Sequence, residues 1–187
     1  MSNRFEILAT PLPGLQLLQR SPLGDERGYL ERLFCIEDLQ AILSGKNIAQ
    51  INRTHTADRG TVRGLHFQHA PHAETKFITC LRGRVFDVAV DLRTNSPTLL
   101  HWHAEILSAE DHRTLVIPEG FAHGFQTLTD DCEMLYFHTA RYHSEAEAGL
   151  NVSDPRIGIS WPLPVAGLSP RDAGQPFLTD DSIGIES

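Results

Sequence analysis

Cysteine is scarce in this chain. Its three residues, Cys35, Cys80 and Cys132, are scattered and form no C-x-x-C pair. An odd, sparse set argues against a disulfide framework and against a zinc clip, and reads as small buried hydrophobes in a reducing compartment. A basic surplus is missing too: 16 Lys and Arg stand against 24 Asp and Glu, a formal net charge of −8. Binding a long polyanion calls for positive potential over a broad face, which argues against nucleic acid as a partner. A small anion needs only a local cluster of positive groups and stays open. Long apolar runs are absent as well. The stretch MSNRFEILATPLPGLQLLQR is broken by Pro11 and Pro13, unlike the continuous apolar segment of a secretory signal. Nothing later reaches the length needed to cross a bilayer. A cytoplasmic protein with no membrane partner is expected.

What is present suits one globular domain. The 187 residues are 41% hydrophobic, enough to bury a sizeable core. The domain is expected over residues 1–187, with a core at about 48–142 and both end segments wrapped around it. KFITCLRGRVFDVAVDLR reads as a hairpin turning at Arg82 and Gly83. In its second strand Phe86, Val88, Val90 and Leu92 alternate with Val85, Asp87, Ala89 and Asp91. One face is apolar, and the other carries two carboxylates that look either at water or into a polar cavity. Further strands are expected at His101–Leu107, Thr114–Ile117, Gly124–Leu128 and Glu133–Thr139, with a helix at Ile36–Leu43 stopped by Gly45 and a helical turn at Glu145–Ala148. Short strands with regular turn signals predict an all-β sandwich or closed barrel.

Ten histidines stand out, and RGTVRGLHFQHAPHAETK is the densest segment. It holds His66, His69 and His72 at spacings of three, with Arg63, Glu74 and Lys76 nearby. An imidazole titrates near neutrality, so His66 suits a general base. The alternative is a metal held by several of these histidines with Glu74 and His123. Residues three apart point to opposite faces of an extended strand, so His66 and His69 would not converge. The one His-x-His pair, His101 and His103, is remote in sequence. In VIPEGFAHGFQTL, Gly124 beside His123 permits close approach of a backbone or a ligand. In EMLYFHTARYH, Tyr136 and Tyr142 share a face if the strand continues. A phenol in a closed pocket can donate a proton or bind an oxyanion, though it is also common packing. In LSPRD, Asp172 is a candidate for orienting a histidine.

Taken together, GDERGYLER, RGLHFQ, VFDVAVDLRTNSPT, IPEGFAHGF, DPRIGISWP and LSPRD resemble the dTDP-4-dehydrorhamnose 3,5-epimerase family in order and spacing. The likeness runs from Gly24 to Asp172. It implies an all-β, cupin-type antiparallel jelly-roll barrel with a few short helices. It implies a homodimer, a nucleoside-diphosphate 4-keto-6-deoxyhexose as substrate, and neither metal nor redox cofactor. By resemblance His66 is the base, Asp172 its partner and Tyr136 the opposing acid. Arg63, Lys76, His123, Gln50, Asn52 and Tyr142 fall at substrate-binding positions, and Arg27 matches an arginine that holds the diphosphate from the partner subunit. The chain departs from the family pattern at Glu31, four residues after Arg27, and at Phe137, Arg141 and Val152. These departures leave open a single-site 3- or 5-epimerase. A metal-dependent cupin enzyme is the other alternative.

Overall fold

A computed structural model describes residues 4–179 and 184–185; the remaining ends of the expected 1–187 unit lie outside the described residues. The strands are β1 (Phe5–Ala9), β2 (Gln16–Arg20), β3 (Leu23–Asp25), β4 (Gly28–Leu30), β5 (Gln50–Thr56), β6 (Val62–Gln68) and β7 (Lys76–Arg82). They continue with β8 (Arg84–Asp91), β9 (Trp102–Ser108), β10 (Arg113–Ile117), β11 (Phe121–Thr127), β12 (Cys132–His138) and β13 (Glu147–Gly149). Two four-residue helices, α1 (Gln40–Leu43) and α2 (Pro170–Ala173), complete the elements. One antiparallel sheet has the order β1-β2-β10-β7-β12-β5, the other β13-β6-β11-β8-β9, and β3 and β4 form a separate hairpin. This is the expected all-β jelly roll. Each sheet keeps two edge strands, so the sheets meet by packing and the hydrogen-bonding does not run around a closed barrel.

Alternation sorts the side chains into three apolar clusters. Between the sheets lie Leu115, Ile78 and Met134 from one sheet with Val85, Ala89, Leu107 and Phe125 from the other. The outer side of the five-stranded sheet is covered by the late segment: Val62, Leu65, Val88 and Val90 pack with Leu150, Val152 and Ile157, with Trp161 against them. The outer side of the six-stranded sheet, Leu18, Phe77, Val116 and Phe137, is covered by Leu39 and Leu43. Each fully buried side chain of this size removes enough apolar surface from water to contribute about 1.5–3 kcal/mol. Covering both sheets has a physical cause, since neither could leave its outer face bare; the first residues do more than cover, because β1 and β2 belong to the six-stranded sheet.

Local differences from expectation follow from pairing. The expected helix Ile36–Leu43 shrinks to its last turn, and Ser44, in the left-handed conformation, caps it in place of Gly45. The expected helical turn at Glu145–Ala148 is a turn followed by β13, because Glu147 to Gly149 pair with the free edge of β6. Residues Asp87 and Asp91 face inward and are fully buried. Their opposite face is covered as well, so alternation alone could not say which side was wet.

Two glycines set the geometry of β6. In its pairing with β11, the register shifts between His123 and Phe125. One extra residue inverts the faces of a strand. Arg63 and His66, three apart, therefore both line the same cavity, while Val62 and Leu65 both face outward. Gly64, at φ +138°, sits so close to β11 that a Cβ would lie 2.5 Å from Gly124 Cα. A Cβ on Gly124 would lie 2.9 Å from Arg63 O. The small residue beside His123 does permit a close backbone approach. Overpacking a tight crossing of this kind typically costs about 1–3 kcal/mol. Gly64→Ala and Gly124→Ala should each lower unfolding stability by that amount in urea titrations, with Gly64→Ala the worse because of its positive φ.

Candidate active site

A cavity of about 250 Å³ opens between the two sheets. His66 and Arg63 reach it from β6 and His123 from β11; Lys76, Tyr136 and Asn52 reach it from β7, β12 and β5 of the opposite sheet. Its walls are thus two different sheets, and a ring held between them has one sheet on each face. The volume sits just below the usual range for ligand pockets, which starts near 300 Å³. It accommodates a sugar-sized group and leaves anything larger at the rim.

His66 and Asp172 meet here. Ser169 caps α2, its hydroxyl accepting from the Asp172 N–H at 3.0 Å, and Pro170 starts the helix. That cap fixes Asp172, 5% exposed, with its Oδ1 2.7 Å from His66 Nε2. The carboxylate accepts from Nε2–H, which leaves Nδ1 with the lone pair. Burial pushes the His66 pKa below its ordinary 6.5; the hydrogen bond and charge of Asp172 oppose this only in part, and Lys76 and Arg171 add to the depression. A neutral imidazole with one free nitrogen can accept a proton.

Tyr136 stands on the other wall. Burial pushes its hydroxyl well above the usual phenol range, and Thr54 Oγ1 lies 3.4 Å from it. The phenol stays protonated and can donate. His123 lies beneath, its ring edge-on to Tyr136 at 6.2 Å and its Nε2 3.0 Å from Asp87 Oδ2. The Lys76 ammonium donates to the His66 carbonyl at 3.4 Å and sits 3.4 Å from Glu74 Oε1. Gln50 donates to Asn52 Oδ1 at 3.2 Å and accepts from the Tyr142 N–H at 3.0 Å.

Two expected site residues are placed differently. β12 ends at His138, so Tyr142 does not share a strand face with Tyr136; it stands 54% exposed on the loop at the cavity rim, bonded to Glu147. Arg27 lies outside the cavity altogether. It sits at the turn of the β3–β4 hairpin with its side chain 85% exposed, paired with Asp25. His69 packs on Phe67 and His72 stacks on His143, neither in the cavity wall. Among the described residues no group of three or more His, Cys, Asp or Glu could hold a metal ion.

Other wall residues carried little or no signal in sequence. Glu74 reads in the sequence only as a possible metal ligand, and Asp87, buried behind the wall against His123, only as a strand acid. His138, two residues from Tyr136, shares its face and lines the cavity. Glu147 reaches the rim with Arg171, whose guanidinium is 2.5 Å away.

A family model described as dTDP-4-dehydrorhamnose 3,5-epimerase matches residues 9–180. The chain belongs to that family. A dTDP-4-dehydrorhamnose 3,5-epimerase from Sinorhizobium fredii is 42% identical over 173 residues, covering 92% of this chain and 89% of its own. A solved dTDP-6-deoxy-D-glucose-3,5-epimerase from Legionella pneumophila, in complex with dTDP-4-keto-L-rhamnose, superposes with a TM-score of 0.91 at 35% identity, covering 98% of both chains. A 3'-monoepimerase from Streptomyces bikiniensis, in complex with dTDP-quinovose, gives a TM-score of 0.83 at 30% identity, covering 90% of this chain and 85% of its own. Solved structures named as 3,5-epimerases and as a 3'-monoepimerase thus share this scaffold.

The pKa directions make a direct test. In an NMR titration His66 should show a midpoint below 6.5. Asp172→Asn should lower it further, since the carboxylate is what raises it. The depressed pKa favours the folded state above the ordinary value of 6.5, and this contribution is lost as pH falls through the lower native value.

Proposed function

We propose that this chain inverts C3 and C5 of a dTDP-4-keto-6-deoxyhexose, converting dTDP-4-dehydro-6-deoxy-D-glucose to dTDP-4-dehydro-L-rhamnose. The observation that carries the reading is the placement of a neutral imidazole and a protonated phenol on opposite walls of one cavity. A 4-keto group acidifies the neighbouring C–H bonds because the electron pair left behind delocalises onto the carbonyl oxygen. His66 Nδ1 takes the proton from one face, and Asp172 holds the tautomer and stabilises the imidazolium formed. Lys76 faces the developing enolate oxygen; a fixed donor there lowers the barrier by about 3 kcal/mol. Tyr136 returns a proton to the carbon from the opposite face, which inverts the centre. Proton out and proton in balance, so the residues need no redox partner and no metal.

The nucleotide lies toward the rim, where Arg63, Gln50, Asn52 and Tyr142 stand and His123 closes the floor. Charge-assisted hydrogen bonds to the diphosphate supply binding energy that positions the sugar. We assign Arg27 to the site of a second copy. The β3–β4 hairpin pairs only with itself among the described residues, exposes Leu23, Tyr29 and Leu30, and carries Arg27 away from its own cavity. Exposed apolar surface of this extent suits a homodimer interface. The three unpaired cysteines suit the cytoplasm.

A single-site epimerase is the second reading, favoured by the likeness to the Streptomyces bikiniensis 3'-monoepimerase. Proton NMR of product made in deuterated buffer separates the two: label at C3 and C5 supports double inversion, and label at one carbon supports the alternative. His66→Asn should cut label entry by roughly 10²- to 10⁴-fold while dTDP still binds. Tyr136→Phe should keep some exchange and lose inversion. Near-wild-type turnover of His66→Asn would remove the base from the scheme. For the dimer, mixing Arg27→Ala chains with His66→Asn chains at low substrate should restore turnover that neither has alone; no recovery would place Arg27 elsewhere.

A further inference from the structure

Three imidazole–carboxylate pairs border this one cavity: His66 with Asp172, which carries the proposed proton abstraction, His123 with Asp87, which forms the floor, and one more. The third is His138 with Glu74. His138 Nδ1 lies 2.9 Å from Glu74 Oε2, and both side chains are nearly buried. The other oxygen of the same carboxylate, Oε1, lies 3.4 Å from Lys76 Nζ. One carboxylate thus spans an imidazole and an ammonium. A buried charge of this kind is costly unless it is paired, and pairing on both oxygens fixes its position.

The strands explain the arrangement. Lys76 and His138 are directly opposite each other in the pairing of β7 with β12, so their side chains leave the same face of the sheet. Glu74, just before β7, closes the gap between them. His138 is also two residues from Tyr136, and the two rings stack at 6.0 Å with 21° between their planes. Its far nitrogen, Nε2, stands 3.5 Å from Asn52 Nδ2, which holds the ring from the β5 side. Lys76 also donates to the backbone carbonyl of His66 at 3.4 Å.

We propose that Glu74 and His138 are positioning residues for this reaction: Glu74 aims the Lys76 ammonium at the 4-keto oxygen, and His138 locks Glu74 while bracing the ring of Tyr136. The inference rests on the epimerase reading above. It assigns neither residue a proton transfer. Burial alone would raise the Glu74 pKa, but the hydrogen bond from His138 and the charge of Lys76 more than offset this and lower it, so the carboxylate is ionised and holds the ammonium as an ion pair. Without Glu74 the ammonium loses its carboxylate partner and keeps, among the described residues, the His66 carbonyl. Without His138 the carboxylate is free to swing and to draw Lys76 away from the substrate.

The test uses the full chain and four variants: Glu74→Gln, His138→Leu, His138→Asn and Lys76→Met. A displacement of about 1 Å at a reacting group is enough to cost roughly 100-fold in rate. Glu74→Gln and His138→Leu should therefore lower kcat roughly 10- to 100-fold while KM changes by less than about threefold, since the nucleotide contacts are intact. His138→Asn keeps an N–H near the position of Nδ1–H and should recover most of the loss. A structural role alone would not be rescued in this way, nor confined to kcat. The second readout does not need turnover: the proton–nitrogen resonance of the Lys76 ammonium, assigned by its disappearance in Lys76→Met, should be sharp in the wild type and broadened in Glu74→Gln and His138→Leu. An unchanged ammonium signal in those two variants overturns the inference, as does unchanged kcat. A wild type that fails to exchange C–H bonds next to the ketone overturns the epimerase reading instead, and the ammonium signal still decides the positioning claim.

Discussion

The 2.7 Å contact between His66 and Asp172 joins residues 106 apart in sequence, one on a strand of the five-stranded sheet and one on a helix of a single turn. The cavity depends on it. Burial alone would leave His66 neutral but free to choose its tautomer and rotate. The capped helix presents a carboxylate to Nε2 and so reserves Nδ1 for a proton. The same contact ties the late segment to the sheet it covers, over the cluster of Val62, Leu65, Leu150 and Val152. Chemistry and packing share one anchor.

Two facing sheets answer a stereochemical need. Inversion requires groups on opposite sides of a carbon, and a sandwich supplies opposite sides by construction. Strand β6 brings His66 from one sheet and β12 brings Tyr136 from the other. The glycine crossing of β6 with β11 is the local cost. It lets the backbones approach and shifts the faces of β6, so that Arg63 joins His66 inside.

Much of this was legible in the sequence. The alternation in β8, the turn at Gly83 and the spacing of the later strands predict an all-β domain, and the motifs gather His66, Lys76, His123, Tyr136 and Asp172 at one cavity. The misreadings have physical causes. Alternation distinguishes two faces of a strand but not which is inward when the outer face is also covered, as over Val88 and Val90. Residues Glu145–Ala148 suit a helical turn locally, but the free edge of β6 takes Glu147–Gly149 as a strand and leaves only a turn before it. Tyr142 shares a face with Tyr136 only if the strand runs on, and β12 stops at His138, so Tyr142 meets the cavity from a loop. Arg27 matches a family position by motif, and a motif does not say where a short hairpin carries its side chain; here it is exposed and paired with Asp25. His138 carried no motif, and only its even spacing from Tyr136 pointed inward.

The central claim is that a sugar ring sits between an imidazole and a phenol on opposite faces. A crystal structure of the full chain with a bound dTDP-4-keto sugar tests it most directly. The account predicts the ring between the sheets, with His66 Nδ1 on one face, the Tyr136 hydroxyl on the other and Lys76 toward the ketone oxygen. A ring bound outside the cavity, or one with both side chains on the same face, would contradict it.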